Sequence, residues 1–213
     1  MKKIAFILAL LLLTSLTLVA CNKDRGDEDK TANTEIKREP MDFFEIDISE
    51  YITLGEHSGM VIAPSEGQSN GDAVWAKVVE NSEIKKYPEH QVSYYFEQSR
   101  AKYEYLAREG NDTYENILAG LGVSEEDMWN EARALTRDDL VFAALVKAEN
   151  ISLSDADKKN NFEKYVKKFV LDYGYGEEYV RENMSEQIYE TMLFDKTLEK
   201  LITLNTFISE EKK

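Results

Sequence analysis

Residues 124–148 read SEEDMWNEARALTRDDLVFAALVKA, and this stretch decides the fold. Ser124, with Asp127 three places on, has the form of a capping box, which opens a helix by satisfying its first backbone N–H groups. Met128, Leu135, Phe142 and Val146 then recur along one stripe at helical spacing. From Leu140 to Ala148 the residues are apolar almost all round, so that half of the helix belongs in a core.

Outward from this helix the same pattern repeats. Pro88 sits where a first helical turn accepts proline, and no proline follows it, so everything to Phe207 is free to be helical. Val92, Phe96, Ser99, Tyr103 and Leu106 form one face of a helix that Gly110 ends. A short helix near Tyr114 to Leu118 closes at Gly120 and Gly122. Ser154 caps a further segment with Phe162, Val166, Phe169 and Tyr173 on one side, before Gly174 and Gly176. The last helix, from about Glu177, aligns Val180, Met184, Ile188, Thr191, Leu198 and Ile202. Upstream, Val74, Trp75, Val78 and Val79 behind Asp72 as N-cap predict a shorter helix to about Ser82. The expected fold class is therefore mainly all-α, a body of antiparallel helices over residues 72–207. Before it, residues 41–71 hold Asp47 to Leu54 and Met60 to Ala63, read as short strands around the turn Gly55 to Gly59.

The amino terminus has a different character. Lys2 and Lys3 precede an uncharged run from Ile4 to Leu13, the layout of a secretory signal peptide over residues 1–20. Leu18, Val19, Ala20 and Cys21 resemble a bacterial lipobox, which implies cleavage before Cys21 and a lipid anchor on its sulfur. Residues 21–40 are charged and nearly free of large apolar groups, so they are expected to form a flexible tether, and 208–213 a charged tail. A lipid-anchored, extracytoplasmic location follows as an expectation. Cys21 is the sole cysteine, so disulfides contribute nothing.

Removing Lys2 and Lys3 from the 26 basic residues leaves 24 against 41 acidic ones, a net charge of −17. That balance disfavours nucleic acid and anionic headgroups as partners. No glycine-rich loop precedes a Lys-Ser or Lys-Thr pair, so no nucleotide is expected. His57 and His90 lack helical-spaced partners and read as exposed polar residues rather than zinc ligands. Asp155, Asp157, Asn160 and Asn161 lack the glycine and closing glutamate of a calcium loop, and helix-start chemistry explains them. No Gly-x-Ser-x-Gly elbow exists. Neither a cofactor nor a catalytic residue is expected.

Several segments, in order, resemble the C-terminal domain of trigger factor: the run from Ala73, Tyr87-Pro88-Glu89, Leu121 to Glu126, and Glu149 to Ser154. Tyr51 to Glu56 is similar to the strand leading into that family's isomerase domain. The resemblance spans roughly Tyr51 to Phe207 and implies a helical body with projecting arms whose crevice shelters unfolded polypeptide. Two departures matter. Only a dozen residues separate Gly59 from Asp72, where the family places an FKBP-like isomerase domain, and the signal and tether stand in place of its ribosome-docking domain.

The resemblance makes unfolded exported polypeptides the expected partners of a membrane-anchored, ATP-independent chaperone. The alternatives are a lipoprotein scaffold for one specific surface partner and, third, a peptidyl-prolyl isomerase. Tyr94, Ala101 and Tyr105 lie opposite the Val92, Phe96 and Tyr103 stripe, so one face is free to pack while the other meets clients. Tyr94, Tyr105 and Trp129 are the candidate client-binding residues, since amphipathic rings bury apolar area with a polar edge in water. Most of Tyr103, Trp129, Phe142, Phe162 and Phe169 read as plain core on ordinary burial statistics.

Overall fold

A computed structural model describes residues 39–208. The signal peptide, Cys21, nearly all of the tether and the tail beyond Ile208 lie outside the described residues. Within them the chain is mainly α-helical. A 3-10 turn (Ile48–Glu50) and β1 (Ile52–Thr53) lead to β2 (Val61–Ile62), α1 (Asn70–Asn81), β3 (Glu83–Ile84) and α2 (Glu89–Gly110). Then follow α3 (Tyr114–Leu121), α4 (Glu125–Ala148), α5 (Asp155–Tyr173), α6 (Glu177–Asn183), α7 (Ser185–Leu204) and β4 (Thr206–Phe207).

The caps explain most boundaries. Ser124 and Ser154 each form a full capping box, with Asp127 and Asp157 respectively. Gly122 and Gly174 close α3 and α5 in the left-handed conformation that glycine adopts freely, and Asn111 does the same after Gly110. At α1 the cap is Ser69 rather than Asp72: the Asp72 N–H donates to Ser69 Oγ, so the helix begins one turn earlier than expected. The expected single last helix is two. Met184, at φ −123° and ψ 20°, separates α6 from α7. It still donates its N–H to Val180 and accepts from Ile188, so the apolar stripe crosses the break in register.

The short strands do not pair with each other across the Gly55 to Gly59 turn. β1 pairs antiparallel with β3, Ile52 opposite Ile84, and β2 pairs in parallel with β4, Val61 opposite Thr206. They clamp the leading segment to the start of α2 and to the end of α7. Between Gly59 and α1 stand only β2 and a loop, with no folded domain.

Three apolar clusters lie along this frame. The body cluster joins Ile52, Val74 and Val78 of α1, Leu140, Val141 and Leu145 of α4, and Leu201 of α7. A second holds Val92 and Phe96 of α2, Leu118 of α3, and Met128 and Leu135 of α4. The third gathers Val166 and Phe169 of α5, Val180 of α6, and Met184, Ile188 and Met192 across the break into α7. Helices α4 and α7 each carry one half in the body and the other half in an extension: α2 and α3 cover the first half of α4, and α5 and α6 cover the first half of α7.

His57 corrects the expectation of an exposed histidine. It is half-buried, with Nδ1 3.0 Å from Gly55 O and Nε2 2.8 Å from Glu149 Oε1, tying the early loop to the end of α4. Gly55 approaches α1 so closely that a Cβ there would overlap the Asn81 carbonyl. Gly55→Ala is therefore expected to destabilise the chain by about 1–3 kcal/mol, read as a lowered urea midpoint.

Candidate functional site

Where the leading segment, α1, α2, α4 and α7 converge, they leave a hollow of about 280 Å³. Its walls are aromatic: Phe44, Trp75, Tyr95, Phe142 and Phe194. Trp75 meets Phe194 edge to face at 4.9 Å, Phe194 meets Phe142 at 5.4 Å, and Phe142 meets Phe44 at 5.9 Å. These T-shaped contacts brace one another, so the rings stand as a fixed wall. Phe44, which completes it, is 40% exposed.

Carboxylates interrupt this apolar lining. Asp138 and Asp139 come from α4, Glu190 from α7 and Asp42 from the leading segment. Tyr95 donates its hydroxyl to Asp139 Oδ2 at 2.6 Å, and the Gln91 amide donates to the same oxygen at 3.3 Å. Gln91 is itself buried and accepts from the Met41 N–H at 2.8 Å, which fastens the leading segment over the hollow. Loss of solvent raises the Asp139 carboxyl to about 7, with further upward pressure from Asp138 and Glu190 against the lowering Tyr95 and Gln91 bonds. Burial likewise raises Asp138 to about 6, against the pull of Arg137, whose Nε lies 3.8 Å away. Glu190 is raised by desolvation first and then by the Glu186 and Asp42 charges.

The residues expected to meet clients divide. Tyr105, near the end of α2, is 51% exposed. Tyr94 is not a surface residue: it is buried in the second cluster, 5.5 Å from Tyr95 in edge contact. The first half of α2 has α4 on one side and the leading segment on another, which leaves Glu89, His90, Glu97 and Arg100 as its solvent side and Tyr94 inside. Trp129 is half-buried and stacks on Phe96 at 4.0 Å and 9°, which makes it the edge of a core. None of the three lines the hollow.

Sequence reasoning missed the hollow's own residues. The available signal was Asp138-Asp139 set directly against the all-apolar run from Leu140. Asp139 shares a helix face with Phe142 and Ala143, three and four places on. Among the described residues, no group of His, Cys, Asp and Glu is arranged to hold a metal ion, and no helix is long and apolar enough to cross a membrane.

Fold and hollow together define a mainly helical protein with a body and two helical extensions around an aromatic, acid-edged recess. Over 198 residues the chain is 25% identical to the trigger factor of Caldicellulosiruptor saccharolyticus and 23% identical to that of Caldicellulosiruptor bescii. Each match covers 85% of this chain and 44% of the relative. The trigger factor of Acetivibrio thermocellus is 25% identical over 172 residues, covering 76% of this chain and 40% of the relative. The chain is thus a distant relative of trigger factor that spans less than half the length of the curated relatives it matches, consistent with a C-terminal-like domain. This supports a chaperone-like family. No family model matches the chain, and no solved structure does.

Proposed function

We propose that this chain is an ATP-independent holdase, anchored outside the cytoplasm by lipid on Cys21, that binds unfolded exported polypeptides weakly and releases them without fuel. The observation that carries the reading is the aromatic hollow, open to solvent in a helical body similar to trigger factors. A surface that holds non-native chains must leave apolar area uncovered without collapsing on itself. Here braced rings keep the hollow open, and Tyr105, Leu106, Leu121 and Leu171 add exposed apolar groups on the extensions. The excess of acidic residues opposes self-association of so much uncovered apolar surface. A lipid tether would concentrate such sites where chains emerge from export, offsetting weak affinity for each segment.

The purified chain lacking its signal is expected, at stoichiometric amounts, to suppress light scattering by an unrelated refolding protein. A Tyr105→Ser, Leu106→Ser, Leu121→Ser variant removes about 1 kcal/mol of apolar contact per side chain, so its client affinity is expected to drop about ten-fold or more. Unchanged aggregation with the unsubstituted chain would sink the holdase reading, and a pull-down yielding one stoichiometric partner would favour a dedicated scaffold instead. For the anchor, labelled palmitate is expected on the full chain and absent from Cys21→Ala; label on neither removes the lipid from the proposal.

A further inference from the structure

The hollow combines two features that a purely apolar client site does not need. Its walls are rings, yet Asp138, Asp139, Glu190 and Asp42 edge it, and none of the residues lining it is basic. Among the described residues Asp139 Oδ1 accepts no hydrogen bond, since Tyr95 and Gln91 both use Oδ2. Among the described residues neither Asp138 nor Glu190 is hydrogen-bonded through its side chain, and Arg137, outside the lining, stands 3.8 Å from Asp138. Carboxylates placed in an apolar recess with no cation in its lining are unfavourable unless they take up protons or a ligand supplies the opposite charge.

The charge to be met is negative, the walls are faces and edges of aromatic rings, and the volume is about 280 Å³. Pockets that take whole small molecules run from about 300 to 1,000 Å³, so this one fits a single side chain. An arginine side chain meets all three conditions: methylenes for the rings, a planar guanidinium to stack on them, and a fork of donors for the carboxylates. Lysine meets them less fully, as a point charge without the plane.

We infer that the hollow receives the cationic side chain, arginine above all, of a bound polypeptide, with Asp139 and Asp138 as its anionic floor and Trp75, Phe142 and Phe194 as its walls. This rests on the holdase reading and names the residue class that such a site selects within an unfolded chain. The facing groups set a pH dependence. On α4 they are Asp138 and Asp139, with Arg137 alongside; on α7, Glu190 with Glu186 before it; on the leading segment, Asp42; on α2, Tyr95 and Gln91; and α1 gives only the uncharged Trp75. A cation favours the ionised carboxylates, so affinity strengthens as pH rises through the range where Asp138 and Asp139 lose their protons and weakens below it.

The test uses calorimetry on the chain lacking its signal and two short peptides, identical in leucines and tyrosines, one with a central arginine and the other with citrulline, its uncharged isostere. In about 1 M salt, where the Debye length is about 3 Å, the general attraction of an acidic protein for a basic peptide is screened. Under those conditions at pH 8 the arginine peptide is expected to bind about ten-fold tighter. That preference is expected to shrink at pH 5, to be lost in Asp139→Asn and to be reduced in Glu190→Gln. Equal binding of the two peptides overturns the inference while leaving the holdase reading intact. So does a preference that survives Asp139→Asn. If neither peptide binds and aggregation is also unsuppressed, the holdase reading has failed and the inference falls with it.

Discussion

Leu145→Ala is expected to lower the unfolding free energy by about 2–5 kcal/mol, measured as a drop in urea midpoint at unchanged slope. Leu145 is fully buried in the body cluster that also holds Val74 and Val78 of α1 and Leu201 of α7. Truncation removes transfer energy and leaves a cavity that neighbours held by three helices and two strand pairs have little freedom to fill. Stabilities of single domains are about 5–15 kcal/mol, so this one side chain represents a large share. The effect is not confined to the body, because α4 continues from Leu145 back to Met128 and Leu135 in the second cluster. Leu171→Ala supplies the contrast: that residue is 83% exposed on α5 and is expected to change stability by no more than about 0.5 kcal/mol. A loss of under about 1 kcal/mol for Leu145→Ala would mean that the three-helix contact is not the centre of the fold.

The sequence made some of this architecture readable and hid the rest for identifiable reasons. Helices α2, α4 and α5 announce themselves through a 3.6-residue stripe, with serine caps opening α4 and α5 and Gly174 closing α5, all local signals. The division at Met184 left no such trace, because the backbone turns without proline or glycine and the stripe from Val180 to Ile188 stays in line. Two-residue strands carry too little pattern to name a partner, and Ile52 with Ile84 or Val61 with Thr206 are contacts only the folded chain defines. Tyr94 was misplaced because amphipathicity assigns one face to the core and one to solvent. At the start of α2 the exposed strip narrows to Glu89, His90, Glu97 and Arg100, because α4 and the segment around Met41, distant in sequence, both pack on the helix. The hollow is illegible for the same reason: its rings and acids come from five separate stretches, and only Asp42 to Phe44 and Asp138-Asp139 are adjacent.

Asp139→Asn is expected to make the chain more stable at pH 8, by about 4 kcal/mol. The asparagine oxygen can still accept from Tyr95 and Gln91, so the substitution removes charge with little change of shape. In the folded chain Asp139 ionises at about 7, against an ordinary 3.8 when unfolded. Between those values the folded state holds the extra proton, so stability falls as pH rises from about 4 to 7 and is flat above; each tenfold preference is worth about 1.4 kcal/mol. Asp138, at about 6, acts in the same direction over a narrower window. Asp157 acts oppositely and elsewhere: its bonds to Lys196 first, and then to Ser154, hold it down at about 2, so its contribution is present above 3.8 and lost as pH falls toward 2. The unsubstituted chain is therefore expected to have a higher urea midpoint at pH 5 than at pH 8, and Asp139→Asn to flatten most of that difference. Asp172→Asn, on the exposed side of α5, removes one unit of the same net charge and is expected to do neither. A midpoint at pH 8 no higher in Asp139→Asn than in the unsubstituted chain would show that the carboxylate is stabilised inside the fold, and the hollow would then have no unmet charge to offer a ligand. If the gain appears, the folded chain carries an ionised group that weakens it and that a neutral isostere replaces without strain. Such a group is what a binding site retains against stability when its charge is needed for a partner.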